Sequence, residues 1–197
     1  MEERMRKFTL VAALVAVAAF VFVSTGVRAV FYAPEAEFKR DLPIPESTSL
    51  IGLPARLSIP ALEIDTAIEH VGINAKGNMA APRLYAEVAW YKYGARPGDK
   101  GSAVVAGHLD NGFGLDGVFK NLDGLQVGDD IFVTTEEGEE LHFVVSSVAT
   151  YPYEEVPVEE LFARADKAHL NLITCKGEWI KDAKTYSERL VVYTVLV

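Results

Sequence analysis

The chain has one cysteine, Cys175, in a context typical of a reactive thiol. It follows the apolar run 170–174, and the next residues, 176–178, contain a glycine, so we expect the chain to leave a strand there. A thiol at such a position is accessible to a substrate, and a neighbouring positive charge would lower its pKa. A second interpretation stays open at this point, because free cysteines are also common as small buried apolar residues.

His108 is the candidate for moving protons. It follows the apolar run 103–107, which ends in glycine, so we predict it at the mouth of a sheet, where catalytic groups are often placed. Asp110 stands two residues further on and is a candidate for orienting the imidazole, with a solvated loop carboxylate as the competing interpretation. A His-x-Asp pair is a weak metal signal, since two ligands do not define a site.

Arg189 is the candidate for a fixed positive charge. It begins the last predicted strand, after the connecting residues 176–188. If the strands that end at Cys175 and begin at Arg189 are antiparallel neighbours, the thiol and the guanidinium face each other at one end of a sheet. An ordinary charge at a strand start is the alternative, and the presence of Cys175 favours the functional interpretation.

In chain order, Gly107-His108, Thr174-Cys175 and Arg189 resemble the sortases, which are membrane-anchored cysteine transpeptidases of Gram-positive bacteria. That family has a histidine after a strand ending in Ala-Gly, a Thr-Cys pair closing a later strand and an arginine opening the last strand. The segment 90–108 looks most like the class lettered F, with class E next. Ile173 and the loop 176–188 depart from the sequences of many relatives.

The resemblance implies a catalytic domain, residues 54–197, built as a closed eight-stranded β-barrel. Cys175 would attack the threonine carbonyl of a sorting signal similar to Leu-Pro-x-Thr-Gly (LPxTG) and form an acyl-thioester. His108 would protonate the departing amine and then activate an incoming one. Arg189, with Thr174 and the backbone beside the cysteine, would bind the substrate or stabilise the oxyanion.

The implied partners are surface proteins with a C-terminal LPxTG-like signal, and a peptidoglycan precursor or a pilin amine as the nucleophile. The resemblance implies no cofactor and no metal. The acidic segments 136–140 and 154–155 could bind calcium, as in one sortase class, but a solvated run of charges is the favoured interpretation.

The elements that must position these residues are predicted to be mainly β. Alternating and short apolar runs predict seven or eight strands separated by turns, which is typical of a closed barrel or a sandwich. These runs cover residues 56–59, 61–64, 66–71, 102–106, 130–135, 140–148, 170–174 and 190–197. Two short helices are predicted at 82–90 and 156–167, the second with Pro157 in its first turn.

The N-terminal residues predict a membrane anchor. Residues 8–27 carry no charge, and a helix of that length rises about 30 Å, enough to cross the hydrocarbon core. Three basic residues precede the run and one follows it closely, so residues 1–7 are predicted to be cytoplasmic and the remainder extracytoplasmic. A cleaved signal peptide has a shorter apolar core, about 7–15 residues, so an uncleaved single-pass anchor in the cell membrane is favoured.

Residues 28–53 are predicted to form a stalk between this anchor and the domain. Their prolines, glutamates and hydroxyl side chains favour extended, solvated backbone over packed structure. The net charge of the chain is -9, and the first 40 residues hold six Lys or Arg against four Asp or Glu, so the domain is strongly acidic. We therefore expect no nucleic-acid partner, because phosphate contacts need clustered basic side chains.

Two other functional classes remain open from the sequence, and a third is weaker. An L,D-transpeptidase also uses an extracytoplasmic cysteine, but that family places His-Gly directly before it, where this chain has Ile173-Thr174. A noncatalytic β-domain, such as a degenerate sortase, would be recognised by an inert, buried Cys175. A metal-dependent hydrolase at His108 and Asp110 is the weakest alternative, since no third ligand is evident.

Overall fold

The computed structural model describes residues 49–111 and 114–197, which form a mainly β structure. The strands are β1 (Pro54–Ile59), β2 (Ile64–Val71), β3 (Val88–Tyr91), β4 (Gly101–Gly107), β5 (Asp130–Thr135), β6 (Glu140–Pro152), β7 (Ala168–Ile180) and β8 (Thr185–Leu196). One α-helix in the described part, α1 (Val158–Phe162), follows β6. Short 3₁₀ turns occur at Pro60–Leu62 and Leu122–Gly124.

The predicted anchor, residues 8–27, lies outside the described residues, as do the preceding residues 1–7 and the stalk up to residue 48. Among the residues that the structure does describe, no helix has the length and apolar character needed to cross a membrane.

The eight strands close into a barrel in the order β1-β2-β3-β4-β7-β8-β6-β5, and β1 pairs with β5 to complete the ring. The pairs β2–β3 and β4–β7 are parallel, and every other neighbouring pair is antiparallel. The predicted closed eight-stranded barrel is therefore confirmed. In this order β7 lies between β4 and β8, so the strands that carry the three candidate residues are consecutive in the sheet.

Alternation along the strands decides which side chains fill the barrel. Even-numbered residues of β7 and β8, such as Leu172 and Val192, belong to the main core cluster. Odd-numbered residues, such as Ile173 and Val191, belong to a second cluster that includes α1 and covers the outer face. Cys175 continues the outward-facing series, so it lies on the outside of the barrel wall.

The predicted helix at 82–90 is wrong. Residues 82–87 are irregular, and residues 88–91 form β3, which pairs with β2 on one side and β4 on the other. Val88, Ala89 and Trp90 are fully buried, so this short strand is covered on both faces. Its tertiary packing therefore outweighs the local pattern that predicted a helix. The second predicted helix, 156–167, is shorter than expected and spans only α1.

The predicted loop 176–188 is also wrong, because it is mostly strand. β7 continues to Ile180 and β8 begins at Thr185, so Cys175 and Arg189 are opposite one another within a long hairpin rather than at strand ends. The register shifts between Lys176 and Trp179, where β7 has a bulge. Such irregularities re-aim the neighbouring side chains, and this one lies immediately after the thiol.

The residues just before β1 pack onto the barrel. The guanidinium of Arg96 donates to the Ile51 carbonyl at 2.8 Å, and the Ser49 hydroxyl donates to Asp99 at 2.6 Å. The side chains of Ile51 and Leu53 pack against the main core cluster. This packing favours a stable unit that begins no later than residue 49.

A shortened protein that begins at Pro54 should therefore be less stable than one that begins at Ser49. It loses the hydrogen bond to Arg96 and the partial burial of Ile51 and Leu53, which together are worth about 2 kcal/mol. For a domain of this size the melting temperature should fall by about 4–8 °C, as measured by circular dichroism. Equal melting temperatures would show that the removed residues contribute nothing to the fold.

Candidate active site

Strand pairing brings the three candidate residues together. Parallel pairing of β4 with β7 aligns Ala106 with Ile173, so His108, directly after β4, is beside the Cys175 end of β7. Antiparallel pairing of β7 with β8 places Cys175 directly opposite Arg189. Side chains in directly opposite positions have Cβ atoms about 5 Å apart. His108, Cys175 and Arg189 are each partly buried, so they are shielded from water and still accessible from the outer face.

Thr174 fixes the end of β4. Its hydroxyl donates to the Gly107 carbonyl at 2.8 Å, and its side chain is almost fully buried. The bond joins the residue before Cys175 to the residue before His108. Because the hydroxyl hydrogen is used in this bond, Thr174 positions the two strands, and its role as a donor to substrate stays a prediction.

The glycine before His108 is a steric requirement. A Cβ on Gly107 would overlap the ring of Phe119, which is fully buried beneath this turn. The backbone N–H of Phe119 donates to the His108 carbonyl at 3.0 Å, and a Cβ on Gly117 would overlap the same carbonyl. The segment 117–119 therefore packs closely against His108, and the glycine at position 107 is a consequence of that packing.

The imidazole of His108 is held by a loop that the sequence reasoning missed. Its Nε2 is 2.9 Å from the Pro82 carbonyl oxygen, and its ring centroid is 4.6 Å from that of Tyr85. A carbonyl only accepts hydrogen bonds, so Nε2 carries a hydrogen. Pro82 and Tyr85 were missed because residues 82–90 were predicted to be helical; the short apolar run 88–91 was the available signal for a strand with a loop before it.

The guanidinium of Arg189 is anchored on its own strand. Its Nη1 donates to the carbonyls of Tyr186 and Glu188 at 3.1 and 2.8 Å, and its Nη2 donates to the Thr185 hydroxyl at 2.6 Å. Its Cζ lies 6.0 Å from the centroid of the Tyr153 ring. A guanidinium keeps its charge at any physiological pH, so this arrangement holds a permanent positive charge on the strand beside Cys175.

Asp110 accepts a hydrogen bond from Tyr186, whose Oη lies 2.6 Å from its Oδ2. The proposed direct orientation of His108 by Asp110 stays a prediction. Burial raises the pKa of Tyr186, and the hydrogen bond and charge of Asp110, followed by the charge of Cys175, raise it further. Tyr186 is therefore within electrostatic range of the thiol, a neighbour that the sequence reasoning did not single out.

Metal binding finds no support at these residues. Within residues 49–111 and 114–197, no group of three or more His, Cys, Asp or Glu side chains lies close enough together to hold a metal ion. The acidic segment 136–139 forms the exposed turn of the β5–β6 hairpin. Independence from cofactors and from calcium stays a prediction.

This arrangement of residues can perform nucleophilic acyl chemistry. Cys175 offers a nucleophile, His108 offers a group that can donate and accept a proton, and Arg189 offers a cation for a developing oxyanion. Cys175 and Arg189 lie on adjacent strands, and His108 directly follows β4, the next strand of the same barrel wall.

Several solved structures have the same barrel fold. Sortase A from Corynebacterium diphtheriae, a lid mutant, has a TM-score of 0.57 at 24% identity, covering 81% of this chain and 73% of that one. Sortase C-1 from Actinomyces oris has a TM-score of 0.57 at 25% identity, covering 73% and 72%. A sortase D5 transpeptidase from Clostridium perfringens has a TM-score of 0.52 at 21% identity, covering 73% and 78%.

No curated protein sequence matches the chain. The Sortase domain family, in contrast, matches residues 57–197, which include the whole barrel apart from the first residues of β1. A match over more than half of the chain, on a barrel that structural comparison groups with sortases, shows that this protein belongs to the sortase family.

Proposed function

We propose that this protein is a membrane-anchored sortase that cleaves an LPxTG-like sorting signal and transfers the released protein to an amine of the cell wall or of a pilin. The observation that carries the proposal is the direct pairing of Cys175 with Arg189, with His108 at the end of the neighbouring strand. Membership of the sortase family supports the reaction type, since sortases are cysteine transpeptidases.

The first step is attack by the Cys175 thiolate on the threonine carbonyl of the sorting signal. A carbon–sulfur bond forms, the scissile carbon–nitrogen bond breaks, and the acyl group is held as a thioester. The departing amine takes a proton from the His108 imidazolium. The thioester preserves the reactivity of the acyl group until a second amine arrives, so the exchange needs no ATP.

His108 then works in the opposite direction. As a neutral imidazole it accepts a proton from the incoming amine, which attacks the thioester and regenerates the Cys175 thiolate. The Pro82 carbonyl keeps a hydrogen on Nε2, so Nδ1 is the nitrogen that gains and loses the proton. Pro82 thus has the role that a carboxylate has in other catalytic triads, because it fixes the tautomer.

Arg189 stabilises the negative charge that develops on the carbonyl oxygen. Its bonds to Thr185, Tyr186 and Glu188 use both Nη1 hydrogens and one at Nη2, so we assign the Nε–H and the second Nη2–H as donors to substrate. A cation that is already fixed in position does not have to reorganise during the reaction, and such a donor is worth about 3 kcal/mol.

The proposed location follows from residues 8–27, which would anchor the chain as a single span with the N-terminus in the cytoplasm. The catalytic domain is then extracytoplasmic, where sorting signals and cell-wall amines are available. Within the family, the segment 90–108 supports assignment to class F, with class E next.

The first test is intact-mass analysis of the protein with a pool of LPxTG-like peptides. The wild type should gain an acyl adduct that is released by added amine, and Cys175→Ala should gain none. The variant should keep its melting temperature, because replacing a small, partly buried side chain leaves little cavity. A Cys175 that forms no adduct and does not react with a small alkylating agent would instead favour a noncatalytic domain.

Replacing Arg189 with lysine tests the oxyanion role. Arg189→Lys keeps the charge but loses the planar fork and its bonds along β8, so turnover should fall about 100-fold or more. The control is Arg56→Lys, which alters an exposed ion pair with Asp65 on β1 and β2 and should leave turnover unchanged. Near-normal turnover of Arg189→Lys would remove Arg189 from the site.

Replacing Thr174 with valine separates strand positioning from general stability. Thr174→Val leaves the buried Gly107 carbonyl without its partner and should cost about 1–3 kcal/mol of unfolding free energy. The matched control is Thr194→Val, which removes an equivalent buried bond from Thr194 to the Leu170 carbonyl at 2.7 Å. Both should lower the melting temperature, and only Thr174→Val should also lower turnover, assayed well below both melting temperatures. Equal turnover in the two variants would contradict a special role for Thr174.

A further inference from the structure

A side-chain bridge links β8 to the segment that follows β4. The Tyr186 hydroxyl donates to the Asp110 carboxylate at 2.6 Å, although the two residues are 76 positions apart in the chain. β7, which carries Cys175, is the strand between β4 and β8. The bridge therefore connects the two flanks of the site past the strand that holds the thiol.

The Tyr186 end of the bridge is well fixed. Its ring packs edge-to-face on Trp179, with centroids 5.3 Å apart, and Trp179 is its partner across the β7–β8 hairpin. Its backbone carbonyl accepts a hydrogen bond from the guanidinium of Arg189. Burial and the nearby Asp110 carboxylate raise the pKa of Tyr186, so the phenol stays neutral and keeps the hydrogen that it donates.

The Asp110 end transmits this restraint to His108. Asp110 forms a β-bridge with Asp116, and the Leu109 carbonyl accepts from the Gly117 backbone N–H at 2.9 Å. Backbone bonds thus hold residues 109–110 to residues 116–117. A bond that holds Asp110 against β8 restrains the backbone two residues from the imidazole.

We propose that Tyr186 is a positioning residue for the transpeptidation reaction, which holds the His108 segment against β8 through Asp110 and so sets the distance between the imidazole and Cys175. The inference rests on the function proposed above. It also changes the part assigned to Asp110, which serves as the acceptor for Tyr186 and restrains His108 through the backbone.

A neutral phenol suits this position better than a charged donor. Lys or Arg would add a second cation beside Arg189 and would compete for the substrate carbonyl. Tyr186 supplies a directional hydrogen bond with little conformational freedom, because its ring is already packed on Trp179. Small displacements of catalytic groups lower rates steeply, so the loss of this bond should appear in kcat rather than in substrate binding.

The test uses Tyr186→Phe, which removes only the hydroxyl, in the full-length protein purified in detergent. With an LPxTG-like peptide and an amine acceptor, kcat should fall about tenfold while KM changes less than about twofold. Asp110→Ala should show the same loss, and the double variant should be no worse than either single one. Asp110→Asn keeps an acceptor oxygen and should retain most of the wild-type kcat.

Tyr193→Phe is the matched control. It removes a hydrogen-bonded hydroxyl from the same strand, where Tyr193 Oη lies 3.3 Å from that of Tyr151, and it should leave kcat unchanged. A second measurement is the rate of Cys175 alkylation by iodoacetamide against pH. The profile should shift in Tyr186→Phe, since the imidazole moves relative to the thiol, and should keep its wild-type form in Tyr193→Phe.

Three results would overturn the inference: a wild-type kcat and alkylation profile in Tyr186→Phe, independent losses that multiply in the double variant, or an Asp110→Asn variant as impaired as Asp110→Ala. Failure of the proposed function is a separate result. In that case the wild type itself would transfer no peptide, and the alkylation profiles would still show whether Tyr186 controls the environment of Cys175.

Discussion

The parallel pairing of β4 with β7 is the contact on which the candidate site depends. These strands are far apart in sequence, and their register alone decides which residue after β4 lies beside Cys175. The buried bond from the Thr174 hydroxyl to the Gly107 carbonyl fixes that register at its last position. A slip of one residue would turn His108 to the opposite face and separate it from the thiol, because side chains alternate along a strand.

The closed barrel makes this register rigid. β4 is held on its other side by β3, and β8 is held on its other side by β6, so neither flank of β7 can move without breaking a second ladder. Cys175 faces outward from this wall, so a substrate would reach it at the surface, and the apolar interior is left to stabilise the fold. The candidate site thus lies on the outer face of three neighbouring strands, whose inner face belongs to the core.

Much of the fold was predictable because alternating apolar residues identify the strands and turn residues identify where they end. Seven of the eight strands coincide with runs recognised in the sequence. β3 was missed because a segment buried on both faces has no alternation to detect. The part of β7 after Cys175 and the part of β8 before Arg189 were missed, because residues 176–188 are mostly polar and β7 has a bulge there.

The residues of the site divide in the same way. Cys175, His108 and Arg189 could be found because the residue type alone identifies a nucleophile, a base and a cation. What orients them is largely backbone, namely the Pro82 carbonyl for His108 and the carbonyls of residues 186 and 188 for Arg189. Every residue has the same backbone carbonyl whatever its side chain, so no residue type in the sequence identifies these partners. Tyr186 is the intermediate case, since its phenol is visible in the sequence but its acceptor, 76 positions away, is brought near only because β4 and β8 both pair with β7.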